Sequence, residues 1–357
     1  MNYRQASLLA SEDASTAATK TVDISIKDVI SRIQVKYGYT NGSHDATGHP
    51  ALTVSKVEIV DGSTVLYSLS GKEIEALDFF DGKRTQPYER EFRSGCPGIV
   101  LLNLNFGRKL YDPLLAFDPK KFSNPQIKVS HNKALGGSAP SSSTLEIVAD
   151  VFDQKAVTPQ GFLMSKEHQT ETLVANAYVN VDLPTDHILR KLLIMSRTAG
   201  YELDNQLSTL HLDEDNDKRV IIDSNIDDFF HFMENLFGPY REQIVGTFSG
   251  VASHGWYCTP ISHSELHVRP IGGATVELDS EFGGGYFTMT PSAVTAWRGG
   301  VTGFEPHGAV PVIFGDQDDI VDWFDVTKVG TLRLRLKAAS GPSGSVEVVT
   351  QQLRKYA

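Results

Sequence analysis

Residues 56–82 read "KVEIVDGSTVLYSLSGKEIEALDFFDG". Val57, Ile59 and Val65 lie in two apolar runs on either side of Asp61-Gly62, a dipeptide that favours the tight turn of a β-hairpin. Ser70 and Glu73 then have the spacing of a capping box, so the chain turns from strand to helix at residue 70. Ile74, Leu77 and Phe80 form an apolar stripe along that helix, and Gly82 closes it. The unit is a strand, a turn, a strand and a capped helix.

The same unit recurs at 209–238, "TLHLDEDNDKRVIIDSNIDDFFHFMENLFG". Ser224 and Asp227 repeat Ser70 and Glu73 at an offset of 154 (224 − 70), and Gly238 ends the second helix. Ile226, Phe229, Phe230 and Met233 form its apolar stripe. "PYERE" from Pro87 and "PYRE" from Pro239 follow the two helices. Upstream, "KDVISRIQV" (27–35) matches "TDHILRKLLI" (185–194), with Asp28 and Arg32 against Asp186 and Arg190 at an offset of 158 (186 − 28). Downstream, "LEIVA" at 145 matches "VEVVT" at 346, an offset of 201 (346 − 145). Elements that match in order indicate an internal duplication, with about 45 extra residues in the second copy between its helix and its last hairpin. That extra length is expected to include the Gly-rich region 281–311, as a long irregular contact loop.

Each copy is written mostly in strands. "TLRLRL" (331–336) alternates with period two, so Leu332, Leu334 and Leu336 face inward. "RIQVKY" (32–37) and "AYVNVDL" (177–183) alternate in the same way. About eight such strands per copy, with one short helix covering an open end of the sandwich, give an all-β chain of two tandem eight-stranded jelly rolls. The expected division is an N-terminal arm at 1–20, a first jelly roll at 21–157 and a second at 158–357.

The net charge of −11 argues against a sequence-independent nucleic-acid binder, which needs cations to neutralise phosphates. No apolar run reaches the roughly 20 residues of a membrane-spanning helix, and the N-terminus lacks the pattern of a secretion signal. Cys96 and Cys258 are expected as free thiols.

Few residues suggest chemistry. On a strand, His263, Glu265 and His267 would share one face, a pattern that can hold zinc or iron, but the His-x-His of cupin-type sites is missing. Asp213, Asp215 and Asp217 open like a calcium loop, but Lys218 and Ser224 stand where such a loop has Gly and Glu, so a solvated turn is expected. Residues 316–325, with Ile320, Trp323 and Phe324, suggest a short amphipathic helix with an acidic side. Cys258 lies near His254 in sequence, and a small buried side chain is its expected role rather than a nucleophile. "GGGYF" (283–287) lacks the context of a phosphate loop. No catalytic residue, cofactor or metal is assigned.

The duplicated capped helix and final hairpin, with "DPLLAFDPKKFSNPQIKVSHN" (112–132) and "VDLPTDHILRKLLIMSR" (181–197), resemble the double jelly-roll major capsid proteins of tailless icosahedral double-stranded DNA viruses. These are of the tectivirus, corticovirus and adenovirus type. The resemblance covers the chain from about residue 20 onward. It implies a non-enzymatic structural protein in the virion shell of a bacteriophage with an internal membrane. It also implies synthesis in the host cytoplasm, a homotrimer that forms a pseudo-hexagonal capsomer, and contacts with minor capsid and penton proteins. The arm at 1–20 would lie beneath the shell, against the internal membrane or a neighbouring subunit, and no direct nucleic-acid binding is implied. Trp256, Trp297 and Trp323 are candidate interface anchors, with ordinary core packing the equal alternative for each. The rival readings are a metal-dependent two-domain enzyme, bicupin-like or glycan-processing, and a viral spike or lectin-like binding protein.

Overall fold

The computed structural model describes residues 2–82, 85–86, 88–196, 198, 201–248, 250, 252–271, 276–278, 284–291, 294–342 and 344–356. The first half runs through β1 (Tyr3–Asp13), β2 (Ala18–Asp23), β3 (Ile30–Thr40), β4 (Val54–Asp61), β5 (Thr64–Leu69) and α1 (Gly71–Gly82). It continues through β6 (Arg90–Glu91), β7 (Pro97–Asn105), β8 (Pro125–His131) and β9 (Ser142–Phe152). The second half begins with β10 (Gly161–Thr172), β11 (Tyr178–Leu183), β12 (Ile188–Ser196), β13 (Leu207–Glu214), β14 (Arg219–Asn225) and α2 (Ile226–Phe237). There follow β15 (Tyr240–Thr247), β16 (His254–Tyr257), β17 (Pro260–Ile271), β18 (Val276–Leu278), β19 (Tyr286–Pro291) and β20 (Ala296–Pro306). The chain ends with β21 (Ala309–Ile313), β22 (Leu332–Ala338) and β23 (Ser345–Lys355).

The strand orders show the duplication directly. In the first half one sheet runs β1-β9-β3-β7 and the facing strands run β2-β8-β4-β5. In the second half the same places are taken by β10-β23-β12-β21 and β11-β22-β13-β14. Each half is therefore an eight-stranded jelly roll. A parallel contact between β5 and β10, at Ser68 and Lys166, joins one sheet of each half into a continuous eight-stranded sheet.

The stretch expected as an arm carries two strands. Tyr3–Asp13 pairs antiparallel with β9 from Phe152 to Thr144, and Ala18–Asp23 pairs with β8. These two strands are the counterparts of β10 and β11, so the first roll needs them to complete its two sheets.

Alternation builds the core as the sequence predicts. Leu332, Leu334 and Leu336 are buried on β22, while Arg333 and Arg335 reach across the sheet to Asp182 and Asp213. At α1 the capping box forms: the Ser70 N–H donates to Glu73 Oε2 at 2.5 Å and the Glu73 N–H to Ser70 Oγ at 3.5 Å. The second helix starts differently. Asn225 is its N-cap and makes no side-chain cap bond, while the Ser224 hydroxyl donates to the Asn225 carbonyl. Gly238 closes α2 with φ 75°, a conformation that costs glycine little.

The extra length of the second half is not an irregular loop. The segments β15 to β20 contribute to two further sheets, β17-β20-β15-β6 and β16-β19-β18. Trp256, Trp297, Phe248, Phe287 and Met289 form their core, with Phe92 from the first half. Within 281–311, residues 281–283 and 292–293 lie outside the described residues, and most of the rest is strand. Glycines at 299, 300 and 303 hide the alternation of β20, in which Trp297 and Val301 face inward. Gly246 on β15 lies where a Cβ would come within 2.7 Å of the Trp297 ring, so glycine is what admits the indole.

Trp256 and Trp297 are fully buried and meet edge to face at 5.1 Å, and Trp323 is 4% exposed. They pack within the chain and are not anchors for a neighbour. Residues 316–325 form turns instead of a helix: the carboxylates of Asp316, Asp319 and Asp322 accept backbone N–H groups of Asp318, Val321 and Asp316. Aspartate capping nearby backbone in this way competes with helix.

Candidate functional site

The densest polar chemistry lies where the two rolls meet, and α1 carries it. This helix is buried on nearly every side, including Glu73 and Glu75, so its charges must find partners inside the protein. Glu75 and Asp81 each anchor a cluster that draws on both halves of the chain.

The Glu75 cluster is centred on Arg90 of β6, a short strand that leaves the first roll to pair in parallel with β15. The Arg90 guanidinium donates to both oxygens of Glu75 at 3.1 and 2.7 Å, to Glu242 Oε2 at 3.2 Å and to Thr259 Oγ1 at 3.2 Å. Thr259 in turn donates to Glu242 through its N–H at 2.5 Å and its hydroxyl at 2.7 Å. His307 Nε2 lies 2.9 Å from Glu75 Oε2. His49 accepts the Ala51 N–H on Nδ1, so its protonated Nε2 donates to Thr259 Oγ1 at 3.2 Å. Arg90, Glu75 and Glu242 have no side-chain exposure.

Geometry divides the two carboxylates. Burial pushes both upward, but the two-pronged bond from Arg90, with His307, brings Glu75 below its ordinary value. Glu242 receives only one Arg90 bond and stays raised by burial. Burial outweighs the bond to Glu75 and pushes His307 down to about 4; it lowers His49 as well, so both rings are neutral donors at pH 7.

The second cluster gathers around Asp81. Arg190 Nη1 lies 2.5 Å and Lys191 Nζ 2.7 Å from Asp81 Oδ1, and Gln351 donates to Oδ2 at 3.1 Å. Consecutive strand residues ordinarily point to opposite faces. Here the β12–β23 ladder slips between Leu189 and Lys191, and this bulge brings both cations to one carboxylate. Lys191 also donates to the Phe80 carbonyl at 3.2 Å, near the C-terminal end of α1, where positive charge is favoured. The Arg190 guanidinium lies 5.4 Å from the Trp323 ring centroid. Burial raises Asp81, and Lys191 and Arg190 overcome it, taking the carboxyl down to about 2.

The two histidines make the Glu75 cluster acid-sensitive. Between about pH 4 and the ordinary histidine value near 6.5, the unfolded chain binds a proton at residue 307 that the folded chain refuses. Stability is therefore expected to fall on the order of 3 kcal/mol as pH drops through that window. Urea unfolding at stepped pH should show the loss, and His307→Asn, which keeps a donor and tolerates the left-handed φ of 56°, should flatten it; an unchanged pH slope in that variant would contradict the assignment.

The other acidic and histidine residues singled out in the sequence are dispersed or already neutralised. The β17–β20 ladder slips between Ser262 and Glu265, and His263 (φ 45°) turns toward α2, away from the run of Glu265 and His267. Asp213 and Asp217 both hold Arg335, at 2.8 and 2.5 Å, while Asp215 accepts the Thr331 N–H at 3.0 Å. The three carboxylates therefore serve an internal cation and a turn. His49, Glu75 and His307 have ligand atoms close enough for a metal ion, but Arg90 already occupies Glu75. Cys96 and Cys258 are free; burial raises the Cys258 thiol, which donates to the Pro260 carbonyl at 3.3 Å, and His254 pairs with Asp45.

The sequence does not point to this seam, because a lone Arg or Glu within it reads as surface. Arg90 in "PYERE", Glu242 in "PYRE" and Arg190 stand out there only as markers of the duplication. No family model matches the sequence, and no curated protein matches it. Solved structures do match. The major capsid protein of bacteriophage PM2 aligns over 99% of this chain and 98% of its own, at 8% identity and a TM-score of 0.58. The MCP of Sulfolobus turreted icosahedral virus aligns over 100% and 98%, at 11% identity and a TM-score of 0.59. The PBCV-1 virus capsid aligns over 99% and 94%, at 11% identity and a TM-score of 0.58. From end to end, the chain has the double jelly-roll fold of these capsid structures.

Proposed function

We propose that this chain is a major capsid protein that trimerises into pseudo-hexagonal capsomers and tiles an icosahedral virion shell. The observation that supports this most strongly is the repetition of one eight-strand topology, over the whole chain, in an arrangement shared with viral capsid proteins. Two rolls in each subunit give six in a trimer, which fills a sixfold lattice position. The division near residue 157 belongs to this reading, with residues 3–152 and 161–355 supplying the two rolls.

The ionic seam has a clear use in such a subunit. Lattice contacts load each roll from outside, and Glu75 and Asp81 tie the pair into one block. Neighbouring copies need apolar surface, and the second half offers it: Phe232 on α2, Tyr178, Val294 and Val321 are 60% exposed or more. An obligate trimer buries on the order of 2,000 Å² or more at each interface. Minor coat and vertex proteins would meet the assembled lattice. Any contact with an internal membrane would use residues 1–20 as a sheet edge, since β1 is already paired along one side.

Light scattering on the purified protein tests the reading. The expected mass is about three times the 39.2 kDa of one chain. A strict monomer at high concentration would overturn it.

A further inference from the structure

A second convergence of ionisable groups lies outside the seam. His231 and Glu234 come from α2, His263 from the bulge of β17, Glu305 from the end of β20, and Glu202 and Asp204 from the loop before β13. His231 Nδ1 lies 3.2 Å from Glu234 Oε2, and His263 Nδ1 lies 3.7 Å from Glu234 Oε1. The two rings are stacked, 15° from parallel with centroids 5.9 Å apart. Both imidazoles thus address one carboxylate.

The independent observation is Glu305. It is 5% exposed, and neither carboxylate oxygen has a hydrogen-bond partner of good geometry. It lines the same small cavity as Glu234, beneath α2. A buried carboxylate without a partner is costly, and a cation nearby removes the cost. Burial raises its pKa well above the ordinary carboxylate range, and the neighbouring carboxylates of Glu234, Asp204 and Glu202 add to the rise; the Leu203 backbone offsets only part of it.

We propose that His231, His263 and Glu234 bind a divalent transition-metal ion of the zinc class, which fastens α2 to the β17–β20 sheet. Two imidazoles select such an ion over calcium or magnesium. Zinc bonds of about 2.0–2.1 Å place neighbouring ligand atoms about 3.3 Å apart, whereas His231 Nδ1 and His263 Nδ1 lie 3.2 and 3.7 Å from opposite oxygens of Glu234, so the three donors do not yet converge on one point. Binding requires the two rings to close on each other. Both are more than half exposed, at 63% and 57%, so they can swing without disturbing the core. Glu305, which shares the cavity beneath α2 with Glu234, gains a counter-charge when the ion binds. The ion is structural and takes part in no reaction.

Zinc chloride titrated calorimetrically into the purified full-length protein tests the proposal. One ion per chain is expected, with a rise in Tm. His231→Ala and His263→Ala should each weaken binding on the order of 100-fold and abolish that rise. Cobalt(II) should give a visible spectrum that is lost in both variants. Glu305→Gln should weaken zinc binding while the metal-free protein unfolds no more easily than wild type. His168→Ala, at an exposed histidine elsewhere, should change nothing. Absence of stoichiometric zinc binding, or equal binding by the His231→Ala/His263→Ala double variant, would overturn the site. Neither result bears on the trimer mass, so failure here leaves the capsid reading to its own test.

Discussion

Arg90→Leu is expected to destabilise the chain by about 3–5 kcal/mol, because it leaves Glu75 and Glu242 buried without their shared cation. The loss reflects an uncompensated charge more than a missing attraction. An apolar replacement of the whole triad, Arg90→Met with Glu75→Leu and Glu242→Leu, removes the stranded charges and should recover part of the loss, the rest remaining because Thr259 and His307 lose their acceptors. Urea unfolding of wild type, single and triple variants makes the comparison. A single-variant loss below about 1 kcal/mol, the size of a surface pair, would contradict the seam.

Asp81→Ala strands two cations instead of two anions. Arg190 and Lys191 would remain side by side and buried, again at a cost of about 3–5 kcal/mol. Its pH dependence gives a second signature. In the wild type, Asp81 is depressed to about 2, so its contribution is present above the ordinary carboxylate value and is lost as pH falls through about 2. Lys191 is already lowered by burial to about 8, and Asp81 is its main support. Without Asp81, the folded chain releases the Lys191 proton at lower pH than before, while the unfolded chain still holds it. The variant should therefore gain stability as pH rises from about 7 toward 9, more steeply than wild type. Parallel stability curves for the two proteins would contradict this.

The duplication was legible because it rests on local signals. The Asp61-Gly62 turn, the capping box at Ser70 and the alternation of Leu332, Leu334 and Leu336 need only neighbouring residues to be read. The final hairpins matched because β9 and β23 have runs of buried residues along their length. The first two strands were missed for a physical reason. β1 is a sheet edge with one buried residue, Ala6, and β2 has none, so neither shows clear alternation. Glycine hid β20 in the same way.

The seam was hidden because its meaning is not local. The matched arginines make the point: Arg32 pairs with Asp150 of its own roll at 2.7 Å, whereas Arg190 crosses to Asp81 of the other. Equivalent positions in a duplicated sequence have come to serve different contacts. Only the packing of α1 between the rolls distinguishes them.

Electron microscopy of the purified, concentrated protein tests the central claim most directly, that two equivalent rolls form one rigid block and assemble by threes. Class averages should show threefold particles with six lobes of similar size. Particles with only two lobes, or assemblies with twofold symmetry, would contradict it.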